Sequence, residues 1–212
     1  APGLTIACVP PREDPRDALV SQSGAPLASL PPGARVGTSS LRRAVALKAA
    51  RPDLVIEPVR GNVDTRLRKV QEGQYDAIVL ALAGLRRLGW ADKASEILSV
   101  EISLPAIGQG ALGIECRSDD EETKAALSVM ADPVTSLCVA AERAVMAAVD
   151  GNCHLPVAAY ALREGDSLHL RGLLADPDGT NLRRGERRMV WPRSAAEAEA
   201  LGRDLGAQLK RG

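Results

Sequence analysis

Between residues 35 and 82 short apolar runs alternate with segments of helical period, and this alternation limits the folds open to the chain. Arg35-Val36-Gly37 reads as a short strand, Ser39 to Ala50 as a helix with Thr38 as its N-cap, and Leu54 to Val59 as a second strand. Asn62 to Glu72 reads as a helix ended by Gly73. Ala77 to Leu82 is a continuous apolar strand, the kind found in sheets covered on both faces. A short helix follows near Leu85. A β-α-β-α-β order is satisfied by a mostly parallel sheet with right-handed crossovers. Its core must be built from Ala, Val, Leu and Ile, because aromatic residues are only 2% of the 212 and Phe is absent.

The flanks read differently. Leu4 to Val9 has the pattern of a buried strand, and residues 10–34 are rich in Pro, Gly, Asp and Ser, with a strand candidate at Ala18-Leu19-Val20. Ala111 to Cys116 is a further strand, and Glu121 to Ala131 and Pro133 to Val149 are helices. Beyond Pro156 the pattern turns antiparallel. Val157 to Leu162, Leu168 to Ala175 and Arg187 to Trp191 are strands, with a turn at Asp176-Pro177-Asp178-Gly179 and a closing amphipathic helix from Ala195 to Lys210. An α/β unit therefore comes first and a small α+β unit last. A buried strand almost at the first residue points to a chain cut inside a domain. On that reading strand 4–9 and residues 111–130 lack their sheet partners and expose an apolar edge.

Lys+Arg and Asp+Glu both number 27, giving a formal net charge of +0. No global basic field exists to favour nucleic acid, and aromatic stacking platforms are scarce. An acidic ligand must be held by a local cluster. Cys8, Cys116, Cys138 and Cys153 form no CxxC pair, which points to a reducing cytosol. No apolar run approaches the roughly 20 residues of a membrane span, and the first residues show no secretory signal pattern.

Two segments have the texture of anion sites. In Val36-Gly37-Thr38-Ser39-Ser40-Leu41-Arg42-Arg43 a strand passes through glycine and hydroxyl residues into a helix, where free N–H groups and the positive dipole end meet. Arg42 and Arg43 oppose that dipole, a mismatch that an anion would relieve. The same pattern fits an ordinary N-cap with solvated arginines. In Val59-Arg60-Gly61-Asn62-Val63-Asp64-Thr65-Arg66 a second strand end meets a helix start, and Arg66 shares a helical face with Asn62. Arg68 and Lys69 point elsewhere and read as solvated. Ligands of open α/β sheets bind at the carboxyl ends of strands, and arginines there suit a ligand with several carboxylates.

Cys153 lies in Asp150-Gly151-Asn152-Cys153-His154-Leu155-Pro156, a turn between a long helix and a strand, where a thiol is more available than in a core. The other three cysteines, all in apolar segments, read as buried thiols. His154 and His169 offer no metal-ligand spacing, so no metal is expected.

Five segments in order are similar to the porphobilinogen deaminase (hydroxymethylbilane synthase) family: Pro11 to Asp17, Val36 to Arg43, Arg60 to Arg66, Pro105-Ala106-Ile107-Gly108-Gln109-Gly110 and Gly151-Asn152-Cys153. The resemblance runs from about residue 4 to the end. It implies a periplasmic-binding-protein-like parallel-sheet domain, a small C-terminal α+β domain and an incomplete first domain. Residues 1–15 and 111–130 would be the remnant of domain 1, 16–104 domain 2, and 133–212 domain 3. It implies a dipyrromethane cofactor joined as a thioether to Cys153. On that primer four porphobilinogen units are condensed head to tail, each losing ammonia, to give hydroxymethylbilane for haem, chlorophyll or cobalamin synthesis. Ser40, Arg42, Arg43, Arg60, Arg66 and Arg87 match the family's carboxylate-binding positions; Gly61, Thr38, Ser39 and Gln109 accompany them.

The resemblance also implies a cytoplasmic enzyme, monomeric when complete, with porphobilinogen as substrate and neither nucleic acid nor membrane as partner. The family's catalytic aspartate falls ahead of the strand that opens this chain. Asp14, Asp17 and Asp64 do not match it, so the catalytic group is unassigned and the chain alone is expected not to turn over. The competing reading is a non-catalytic small-anion-binding module of periplasmic-binding-protein type. It shares the fold and the arginines but gives Cys153 no role.

Overall fold

Three sheets organise the chain, as seen in a computed structural model that describes residues 2–150 and 155–211. In chain order the elements are β1 (Leu4–Cys8), β2 (Asp17–Ser21), β3 (Arg35–Gly37), α1 (Leu41–Ala50), β4 (Val55–Glu57), α2 (Val63–Gln71), β5 (Ala77–Ala81) and α3 (Leu82–Arg87). They continue with β6 (Glu96–Ile97), β7 (Ile114–Arg117), α4 (Glu121–Ser128), α5 (Pro133–Ala148), β8 (Val157–Glu164), β9 (Ser167–Leu174), β10 (Arg183–Val190) and α6 (Ala195–Arg211).

The central sheet has the order β4-β3-β5-β2-β6. Strands β4, β3 and β5 are parallel, but β2 pairs antiparallel with both β5 and β6. The expected mostly parallel sheet is thus a mixed one. The sequence order hid this because β2 lies before the alternating segment and β6 is only two residues long. Side chains of β2 and β5 alternate between two cores, as strand geometry requires. Leu19 and Val79 join Val36, Leu47 and Leu54 on one face. Ala18, Val20, Ile78 and Leu80 join Leu67, Val70 and Leu82 on the other. Both faces are covered, which accounts for the unbroken apolar run of β5.

The third sheet is antiparallel, ordered β10-β9-β8, and α5 and α6 pack on one face of it. Here Val145, Leu168, Leu170, Leu205 and Leu209 are fully buried. Strand β1 pairs antiparallel with β7, with Leu4 opposite Arg117 and Thr5 opposite Cys116. These two segments, expected to lack partners, are therefore partners of each other. Leu4 and Ile6 remain 43% and 38% exposed, so the apolar edge is real although the strand is paired. Cys8 and Cys138 are buried as expected, whereas Cys116 is only half-buried, since its strand belongs to this two-stranded ribbon. Burial, with the nearby Glu142 charge, pushes the Cys138 thiol up to about 12, which keeps it protonated.

Candidate anion-binding cleft

Strands β3 and β4 are parallel neighbours, with Gly37 opposite Glu57, so their carboxyl ends emerge side by side. The chain leaving β3 runs through Thr38 and Ser39 to Ser40. Ser40, and not Thr38, is the N-cap of α1, its hydroxyl accepting from the Arg43 N–H at 3.5 Å. Thr38 is buried behind it, and its hydroxyl accepts from the Ser40 N–H at 3.2 Å. The chain leaving β4 reaches Asn62, which caps α2 by accepting from the Thr65 N–H at 3.0 Å. Gly61 makes the bend at φ +119°, and a Cβ there would lie 2.7 Å from Thr65. Glycine is required by both the dihedral and the space.

A cleft of about 390 Å³ opens at this edge. Ser39, Ser40, Arg42, Arg43 and Arg66 line it from the sheet side, and Ile107, Met146, Leu155 and Val157 from the 105–110 segment, α5 and the approach to β8. A cationic wall facing an apolar wall suits a flat apolar body that carries carboxylates. Arg66 gives Nε–H to the Gly61 carbonyl at 2.8 Å, an anchor that aims the rest of its guanidinium. Ser39 donates to the Val59 carbonyl at 2.7 Å, tying the two strand ends together.

Behind the cleft lies a residue that sequence reasoning passed over. Asp17 is fully buried, and β2 runs antiparallel to β5, which brings its first residue to the carboxyl edge of the parallel strands. Its carboxylate accepts from Arg42 Nη1 at 2.8 Å and Nη2 at 3.2 Å, from Arg43 Nε at 2.9 Å, from Ser103 Oγ at 2.6 Å and from Gln109 Nε2 at 2.9 Å. The anion that the Arg42–Arg43 mismatch called for is thus first supplied by the chain itself. The signal was an aspartate opening an otherwise apolar five-residue strand, DALVS, buried throughout. A carboxylate in such a place requires cationic partners. Burial alone would raise the Asp17 carboxyl, but the Arg42 and Arg43 charges, with hydrogen bonds from Arg42 and Ser103, outweigh it and hold it down to about 2. Burial pushes the Arg43 guanidinium down, and Asp17 opposes that.

Because the Asp17 value falls below the ordinary 3.8, its contribution to stability is complete above about pH 4 and is lost as pH drops towards 2. The urea midpoint is expected to fall across that window. In Asp17→Asn, which starts less stable, the fall should be shallower. Equal slopes in the two proteins would contradict this. Other carboxylates held low by hydrogen bonds, Asp14 and Asp132 among them, contribute to the remaining slope.

Gln109 lies in this network: besides Asp17 it donates to the Pro15 carbonyl at 2.5 Å and accepts from Arg42 Nη2 at 3.2 Å. The 105–110 segment is held in turn by a second buried pair. Arg12 donates to Glu142 at 2.5 and 3.1 Å and to the Gln109 carbonyl at 2.8 Å. Glu142 also accepts from the Gly108 N–H at 2.7 Å and the Ala161 N–H at 2.9 Å. Burial pushes the Glu142 carboxyl up, and Arg12 and the two N–H groups pull it back.

The structure does not bring every expected residue to the cleft. Arg60 and Arg87 are exposed and do not line it; Arg86, beside Arg87, pairs with Glu13 at 2.6 Å. Arg42 is 4% exposed and faces Asp17, so it is more an internal group than an open anion hook. Cys153 lies outside the described residues. Leu155, two positions later, lines the cleft.

A family model described as the porphobilinogen deaminase dipyromethane cofactor binding domain matches residues 1–125, and one for the porphobilinogen deaminase C-terminal domain matches residues 136–211. Porphobilinogen deaminase of Sorangium cellulosum (strain So ce56) is 69% identical over 212 residues, all of this chain and 71% of that protein. The protein of the same name from Roseiflexus sp. (strain RS-1) is 51% identical over 208 residues, 98% of this chain and 67% of its own length. That of Paenibacillus macerans is 58% identical over 159 residues, 75% of this chain and 49% of its own. The chain belongs to the porphobilinogen deaminase family, enzymes of tetrapyrrole synthesis built around a dipyrromethane cofactor.

Proposed function

We propose that the cleft holds the carboxylates of a dipyrromethane joined to Cys153 and of the pyrrole chain extended from it, in an enzyme that condenses four porphobilinogen units into hydroxymethylbilane. The observation that carries this reading is the shared lining: Arg43, Arg66, Ser39 and Ser40 border the same cleft as Leu155, two residues beyond Cys153. The donor set fits the group. Arg66 supplies an N–H pair for acetate and propionate side chains, Arg43 its remaining Nη hydrogens and Ser40 its hydroxyl, Ser39 holds the two strand ends together behind them, and Ile107 and Val157 cover pyrrole faces. When bound, dipyrromethane supplies a nucleophilic pyrrole carbon at which the chain is lengthened. Arg60 and Arg87, exposed nearby on the same unit, meet carboxylates of the longer product. Thr38 and Gln109 act from behind by fixing Ser40 and the arginines.

Residues 16–104 and 133–212 are proposed as the second and third domains of the family, and residues 1–15 with 111–130 as parts of the first. The separate central, C-terminal and two-stranded sheets support this division. The periplasmic-binding-protein likeness, a cytoplasmic location and a monomeric enzyme belong to the same proposal.

No carboxylate is among the described residues that line the cleft, and Asp17 is saturated by donors. The 212 residues alone are therefore proposed to hold the cofactor without turning over. Intact mass is expected to show one added dipyrromethane on the parent chain and none on Cys153→Ser, with no steady-state hydroxymethylbilane from either. An unmodified parent mass would overturn the cofactor assignment, and normal turnover the inactivity.

A further inference from the structure

We propose that Asp17 is a positioning residue of the cleft: by holding buried Arg42 and Arg43 on one carboxylate it sets the direction in which Arg43 offers its remaining N–H groups to an anionic ligand. This rests on the anion-binding role given to the cleft above. Arg42 and Arg43 are consecutive, stand in the first turn of α1 and oppose its dipole. Left to themselves, two adjacent guanidinium groups would repel one another and swing into water. One carboxylate prevents this by taking donors from both: Oδ1 from Arg42 Nη2 and Arg43 Nε, and Oδ2 from Arg42 Nη1. Ser103 Oγ at 2.6 Å and Gln109 Nε2 at 2.9 Å then fix the carboxylate itself.

The geometry divides the donors into used and offered. A carboxylate has about four lone-pair sites, and those of Asp17 are taken, so it neither binds ligand nor carries protons. Arg42 is almost wholly used inside: Nη1 also gives to Ser103 Oγ at 3.2 Å and to the Leu104 carbonyl at 2.6 Å, Nη2 gives to Gln109 Oε1 at 3.2 Å, and Nε is buried without a partner among the described residues. Arg43 turns Nε and Nη2 to Asp17 and gives Nη1 to the Val79 carbonyl at 3.3 Å, which leaves the second hydrogens of its Nη groups for the cleft that it lines. Among the described residues Arg66 spends only its Nε, on Gly61. The cleft thus holds directed N–H groups on partly neutralised arginines. Such an arrangement reads the placement of carboxylates more than their charge.

Positioning and bulk charge predict opposite signs. Asp17→Asn makes the site one unit more positive. If charge governed, porphobilinogen would bind more tightly; if Asp17 positions the arginines, it binds more weakly. Calorimetric titration with porphobilinogen in the Cys153→Ser background, where the cleft is open to the probe, is expected to give an affinity lower by on the order of tenfold for Asp17→Asn. Ser103→Ala leaves every charge in place and is expected to weaken binding several-fold; it decides the matter if Asp17→Asn does not fold, as judged by circular dichroism. Affinity that is unchanged or higher in the folded variant overturns the positioning role. Failure of the Cys153→Ser protein itself to bind porphobilinogen overturns the cleft assignment, and this inference with it.

Discussion

Replacing Glu142 with alanine is expected to lower stability by about 3–5 kcal/mol, the usual cost of removing one partner from a buried ion pair. Glu142 is fully buried, and the Arg12 side chain is only 10% exposed. Without the carboxylate the Arg12 guanidinium keeps the Gln109 carbonyl and its place over the Tyr160 ring, 5.3 Å from the centroid, but loses its counter-charge. The N–H groups of Gly108 and Ala161 lose their acceptor at the same time. Each unsatisfied buried donor adds to the loss. Arg12 follows β1, Gly108 precedes the two-stranded ribbon's second strand, and Ala161 is in β8, so the damage spreads over three parts of the chain. Urea unfolding measures it. A loss below about 1 kcal/mol would show that water reaches the pair and that it is no more than a surface salt bridge. The double variant Arg12→Met with Glu142→Leu should recover part of the loss, because apolar replacement removes both charges together. Full recovery is not expected, since Gly108 and Ala161 still lack an acceptor.

Such buried polar groups mark where sequence reading stopped. Local periodicity was enough to place β3, α1, β4, α2 and β5, because each has its own cap, glycine or apolar run. Three of the five ordered motifs contribute residues to the cleft, among them Arg43, Arg66 and Ile107. What remained hidden was pairing across long separations. That β2 runs antiparallel is set by its pairing with β5 and with the chain returning at Glu96–Ile97, which no local pattern records. Asp17 meets Arg42 across 25 residues and Ser103 across 86, so neither partner announces the other. The pairing of β1 with β7 was missed for the same reason: each was judged alone, and an edge strand's partner lies beyond any window of periodicity. The dipole argument at Arg42 did carry information, since an anion is present. Its source was misplaced because aspartates were weighed only as catalytic groups and not as internal counter-ions.

The second large effect concerns α5, which packs chiefly on α6, where glycines at positions 202 and 206 let the two backbones approach. A Cβ on Gly202 would lie 2.1 Å from the Ala141 carbonyl oxygen and 2.7 Å from the Ala144 Cβ; one on Gly206 would lie 2.6 Å from the Ala148 Cβ. In an open helix, glycine to alanine gains up to about 1 kcal/mol. Gly84 in α3 has nothing within 4 Å of such a Cβ, and Gly84→Ala is expected to show that gain. At Gly202 the obstacle is backbone and cannot rotate away, so α6 must shift and its contacts through Leu205 and Leu209 loosen. Overpacking costs about 1–3 kcal/mol or more, which exceeds the helix gain, so Gly202→Ala is expected to be a net loss of about 2 kcal/mol. The two variants thus move the thermal midpoint in opposite directions, and stabilisation by Gly202→Ala would refute the close packing of α5 and α6. Met146, on the same helix as Ala141 and Ala144, lines the cleft, so a displaced α5 also shifts the apolar wall. A stability change at a residue that touches no ligand should therefore appear as weaker porphobilinogen binding as well.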